Sequence, residues 1–81
     1  MQKLRALCER LNTNARAAEV EIDGQSGPVI KAEVDEGQGL LRIRYGQHGA
    51  AIADKDLCRV RINRPVIRFH GSGGDFVTIR F

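Results

Sequence analysis

An α+β fold, one short N-terminal helix followed by five or six antiparallel strands, is predicted by three observations. The apolar residues near the N-terminus repeat with a helical period. After residue 17 that period changes to two. Glycine-rich loops then separate the alternating runs. The chain has 81 residues, enough for a single thin core and no second lobe, so residues 1–81 read as one domain and the large nucleotide-binding, hydrolase and kinase folds are excluded.

The helix is expected over residues 1–12. Leu4, Leu7, Cys8 and Leu11 fall at i, i+3, i+4 and i+7 and form one apolar stripe, with Lys3, Arg5, Glu9 and Arg10 opposite. Asn12, Thr13 and Asn14 compete for backbone hydrogen bonds and should end it. About three turns are marginal alone in water, so the leucine stripe must dock on the rest of the chain.

From there to the C-terminus (18–81) the chain reads as an antiparallel sheet in meander order, packed as a curved sheet or small open barrel. Ala18, Val20 and Ile22 alternate with glutamates; Ile30, Ala32 and Val34 alternate with Lys31 and Glu33; Leu41, Ile43 and Tyr45 alternate with Arg42 and Arg44. Each is a strand with one dry and one wet face. Later, Cys58, Val60 and Ile62 alternate with Arg59 and Arg61, and Val77, Ile79 and Phe81 with Phe76, Thr78 and Arg80. Val66 to Phe69 is a shorter strand whose preceding Pro65 suits a strand start or a sheet edge, and Ala50 to Ala53 is ambiguous.

Loops are expected at 23–28, 36–39, 46–49 and 71–74, each rich in glycine. With Gly37 and Gln38 at the tip of the second, Val34 pairs with Leu41, Ala32 with Ile43 and Ile30 with Tyr45, while Glu33 meets Arg42 on the wet side.

Charge is divided unevenly. Residues 1–38 carry five bases and seven acids, a balance of −2; residues 39–81 carry eight bases and three acids, a balance of +5. Ten of the thirteen bases are arginine, whose planar fork suits phosphate and carboxylate. Arg42 and Arg44 on one strand, Arg59 and Arg61 on another, and Arg64 and Arg68 nearby form the candidate site. Were the two strands neighbours, four guanidinium groups would share one face and could follow the phosphates of single-stranded nucleic acid. The competing expectation is cross-strand pairing with Glu19, Glu21 and Glu33. Few aromatic residues are present to stack on bases, and Phe76 is the one expected on a wet face.

Other chemistries find little support. His70-Gly71-Ser72-Gly73-Gly74-Asp75 brings a histidine and a serine together, but a strand pattern follows it where a phosphate loop would run into a helix, so it reads as a hairpin loop and no catalytic residue is assigned. Asp54-Lys55-Asp56 reads as a turn or helix cap. Two histidines and two cysteines fifty residues apart make a poor zinc set, so neither a metal nor a cofactor is expected. Cys8 and Cys58 read as small buried hydrophobes in a reducing compartment. Met1 to Leu11 lacks the apolar run of a signal peptide, and no segment is long and apolar enough to span a membrane, so a cytoplasmic location and no membrane partner are expected.

The sequence therefore predicts a small non-enzymatic binding module contacting nucleic-acid phosphate, with a protein-interaction or assembly subunit as the rival. In the rival reading the last run, Phe76 to Phe81, lies at a sheet edge and pairs with a second copy as a homo-oligomer. No family motif is found along the chain.

Overall fold

The computed structural model describes residues 1–81. Helix α1 (Gln2–Thr13) is followed by β1 (Glu19–Ile22), β2 (Gln25–Asp35), β3 (Leu40–Tyr45), β4 (His48–Ala53), a 3₁₀ turn η1 (Asp54–Leu57), β5 (Val66–His70) and β6 (Phe76–Arg80). The strands form one antiparallel sheet in the order β4-β3-β2-β1-β6-β5, which is the α+β class expected. Strands β1 to β4 run as a meander, and the β5–β6 hairpin adds to the free side of β1.

Two local features depart from the loop length and strand phase expected. The β1–β2 connection is a two-residue turn in which Asp23 and Gly24 have φ of 54° and 80°. Left-handed conformation at both positions is the signature of the tight hairpin turn whose twist matches the strands. The loop expected over 23–28 is therefore shorter, and Gln25 to Pro28 already pair with β1. The second feature is an irregularity between Val29 and Lys31. It gives β2 one extra residue, so Val29 rather than Ile30 faces Tyr45. Ile30 turns outward, 42% exposed, while Val29 is buried. Beyond this bulge the expected register holds: Ala32 with Ile43, Glu33 with Arg42 and Val34 with Leu41.

Where β2 leaves β1 for β3, close packing makes room for no side chain. A Cβ on Gly27 would lie 2.6 Å from the Cα of Gly46, whose own φ is +55°. Further along, Asn12 takes the place of a missing strand. Its amide donates to the Ala32 carbonyl and accepts from the Ala32 N–H, both at 2.9 Å. The Cys8 thiol donates to the same carbonyl at 3.3 Å. The end of the helix thus satisfies part-buried backbone groups of β2.

The apolar stripe of α1 packs on β2, β3 and η1. Leu4, Leu7 and Leu11 are fully buried with Val20, Leu41, Ile43, Tyr45, Leu57 and Ile79, so the dry faces predicted from alternation meet in one core. Phe81, expected inside, is only partly buried at its margin.

Two expectations are corrected. Residues 58–62 do not form a strand; they follow η1 as an irregular segment reaching Pro65. The last run lies between β1 and β5, so β6 is an interior strand and the edges are β4 and β5. Interior placement reflects its composition, since Val77, Thr78 and Ile79 are all buried and an edge would leave part of that surface wet.

Candidate functional site

The segment after η1 keeps its apolar residues against the core without joining the sheet. Val60 and Ile62 pack on the core margin, which turns Arg59, Arg61 and Arg64 away from it. Its backbone carbonyls, which a strand partner would otherwise satisfy, accept from two cations of α1. Lys3 Nζ donates to Leu57 at 3.0 Å, Cys58 at 3.1 Å and Val60 at 3.0 Å. Arg10 donates from Nη1 to Ile62 and Arg64, both at 2.6 Å, and its guanidinium lies 3.7 Å from the centre of the Phe81 ring. Two positive side chains therefore hold the segment from beneath while its own arginines project outward.

Between this segment and β5 lies an open cleft of about 480 Å³, lined by Arg59, Arg61, Arg64 and Arg68 with Val60, Val66 and Ile67. No acidic residue lines it. None of its four arginines forms an ion pair; the pairs present are those of the N-terminal amine with Asp54, Arg5 with Glu36, Lys31 with Glu33, Arg42 with Asp35 and Arg80 with Glu21. Four guanidinium groups around one recess with no counter-charge present only donors and positive charge, a chemistry complementary to an anion with several oxygens.

Arg68 links the cleft to the outer face of the β5–β6 hairpin. Strand alternation places Val66, Arg68 and His70 on that face, and the register sets them beside Arg80, Thr78 and Phe76. Phe76 is 47% exposed, as its phase in the sequence predicts, and meets the His70 ring edge-on at 4.8 Å between centroids. His70 and Arg68 are two residues apart, about 6.6 Å along the strand. A cation and an aromatic pair thus share one surface.

Arg42 and Arg44 are not part of this site. They lie on β3, four strands from β5 in the sheet order, or about 19 Å along the sheet at ordinary strand spacing. The recess they line is shared with Lys31 and Glu33. Arg42 Nη2 is 3.5 Å from Asp35 Oδ2 and 3.4 Å from Gln38 Oε1. Glu33 stands opposite Arg42 in register, yet its ion pair is with Lys31, whose hydrogen bond and charge together hold the Glu33 carboxyl below the usual carboxylate range. The face expected to join Arg42, Arg44, Arg59 and Arg61, with Arg64 and Arg68 nearby, is therefore divided into a mixed-charge patch on β3 and an unpaired set at Arg59, Arg61, Arg64 and Arg68. It required residues 58–62 to be a strand beside β3, and they are neither.

The remaining chemistry-bearing residues occupy structural positions. Residues 71–74 connect β5 to β6 as the hairpin loop expected, closed by Gly71 N–H on Asp75 O at 2.8 Å. The Ser72 hydroxyl donates to Asp56 Oδ1 at 2.6 Å, while His70 packs on Phe76. Asp56 also accepts from the Ala53 N–H at 3.1 Å, so Asp54 to Asp56 cap and turn the chain as predicted. Burial, then the Asp75 charge, push the Tyr45 hydroxyl pKa up. No group of three His, Cys, Asp or Glu side chains is placed to hold a metal ion. Both cysteines are free; Cys8 is half-buried, but Cys58 is exposed, against expectation, because the segment carrying it lies outside the sheet. Burial, then the Glu33 charge, raise the Cys8 thiol pKa. No helix is long and apolar enough to cross a membrane.

Lys3 and Arg10 were not legible as site-forming residues. Their carbonyl partners lie more than fifty positions away, and sequence shows them only as the wet side of a helix. No protein-family model matches the chain, and no curated protein or solved structure is significantly similar to it.

Proposed function

We propose that the protein is a non-enzymatic binding module that takes the phosphates of single-stranded nucleic acid in the cleft formed by Arg59, Arg61, Arg64 and Arg68. The observation that carries this reading is the gathering of four arginines, free of carboxylate partners, around one recess without an acid. An isolated surface arginine is usually a solvated charge. Four facing one another repel and are stabilised by a polyanion, which releases its own counterions as it binds.

The neighbouring outer face of β5 and β6 favours a single strand over a duplex. Phe76, backed by the edge of His70, offers a stacking surface to an unpaired base, while Arg68 lies within one nucleotide's reach of it. A duplex keeps its bases stacked inside and would use only the arginines.

Fluorescence anisotropy with a labelled oligothymidylate tests the reading. With four phosphates neutralised, the logarithm of the binding constant should fall against the logarithm of salt with a slope of about −2.8. Arg61→Glu with Arg64→Glu should abolish binding, whereas Arg42→Glu with Arg44→Glu should retain most of it. Equal loss from both double variants, or no binding at low salt, overturns the assignment.

A further inference from the structure

The two edges of the sheet differ in their protection. Strand β5 begins after Pro65 and carries Arg68, both of which discourage pairing with another chain. Strand β4, His-Gly-Ala-Ala-Ile-Ala, has no charged residue, no proline and no irregularity in its register with β3. It is an open edge with small side chains.

The hydrogen-bond phase shows which of its amides are unpaired. Asp54 N–H donates to Gly39 O at 3.0 Å, continuing the β3–β4 ladder. Bonded and non-bonded pairs alternate along an antiparallel ladder, so with this register Ala53, Ala51 and Gly49 direct their backbone groups away from β3. Ala53 bears this out, since its N–H donates to the Asp56 carboxylate. Asp56 thereby closes one end of the edge, and Gly49 and Ala51 keep outward donors and acceptors.

A groove of about 330 Å³ runs beside them. Five consecutive residues of β4, 49–53, line it. A groove over one face of a strand would be lined by alternate residues, so this one follows the edge. Its far wall includes residues 71–73 of the β5–β6 loop. Asp23, Asp56 and Asp75 line it and no basic residue does. Asp56 is engaged by Ala53 and Ser72, while Asp23 and Asp75 form no ion pair.

We propose that the β4 edge accepts an extended basic peptide as a seventh strand, its main chain bonding Gly49 and Ala51 and its cationic side chains facing Asp23 and Asp75. Strand addition supplies affinity through the main chain and selects partners through alternate side chains. A second copy of this chain fits less well, because a two-fold β4–β4 seam would bring two sets of three aspartates along one groove. The surface is distinct from the arginine cleft and stands or falls apart from it.

The test uses the full chain with a fluorescein-labelled octapeptide of alternating arginine and valine, its termini blocked. Binding should slow hydrogen exchange at the Gly49 and Ala51 amides, read by NMR on the wild-type protein. Ala51→Pro, which removes an outward N–H without touching the β3 ladder, should weaken binding at least tenfold, and Asp75→Asn about threefold. A glutamate–valine peptide should not bind. Unchanged exchange at both amides under saturating peptide overturns the proposal whether or not Ala51→Pro folds. So does sedimentation showing the edge already covered by a second copy, or equal binding of the glutamate peptide.

Discussion

Residues 40–45 and 58–62 carry nearly the same message in sequence, apolar positions alternating with two arginines, and fold differently. The first is a strand in the middle of a ladder, its arginines facing Lys31, Glu33 and Asp35 on an outer surface of mixed charge. The second is an irregular segment whose carbonyls at Cys58, Val60 and Ile62 accept from Lys3 and Arg10 and whose arginines form no ion pair and line a cleft without an acid. Alternation reports which side chains face the core; it does not report what satisfies the backbone. A strand needs a partner along its edge. Residues 58–62 obtain two cationic side chains instead.

This contrast can be broken most strongly at the anchor before the irregular segment. Leu57 is fully buried at the end of η1, and Leu57→Ala should cost about 2–5 kcal/mol in urea unfolding. Next is the cationic staple. Lys3→Met removes the donor shared by three carbonyls and should cost about 1–3 kcal/mol, with crosspeaks of residues 57–64 moving more than those of β3 by NMR. A movement spread evenly over both would mean that Lys3 does not hold the segment. Arg64→Ala should weaken oligothymidylate binding by a further, smaller amount, about 1 kcal/mol, and flatten the salt slope by about 0.7. Arg42→Ala should change stability by no more than about 0.5 kcal/mol, since its ion pair with Asp35 is exposed and long.

The least energetic test concerns the two thiols. Cys58 lies exposed on the irregular segment, whereas Cys8 is half-buried, donates to Ala32 and has its pKa raised by burial and the Glu33 charge. Thiolate is the reactive form, so iodoacetamide at neutral pH should label Cys58 first. Peptide mass mapping reads the order, and faster labelling of Cys8 would contradict the burial described here.

Much of the architecture is visible in local pattern. The leucine stripe of α1, the dry faces of β1, β3 and β6, the hairpin register at Ala32–Ile43 and Val34–Leu41, and the wet position of Phe76 each follow from residues close in sequence. Reading breaks down where one extra residue or one distant partner intervenes. Ile30 sits in phase with Ala32 and Val34, but the bulge at Val29–Lys31 reverses it, because with a period of two a single inserted residue exchanges the faces. The candidate site shows the same limit: all four cleft arginines were identifiable, but so were Arg42 and Arg44, and nothing local separates the two groups.

Hydrophobic periodicity and turn chemistry are short-range properties, and they were sufficient to specify one helix, an antiparallel sheet and an arginine-rich second half. The strand order, the interior place of β6, the open edge at β4 and the divided arginines arise from pairings between segments far apart in the chain. Those pairings depend on which backbone groups find partners when the core closes, and a hydrogen bond such as that from Lys3 to residues 57–60 exists only once the helix and that segment have been brought together.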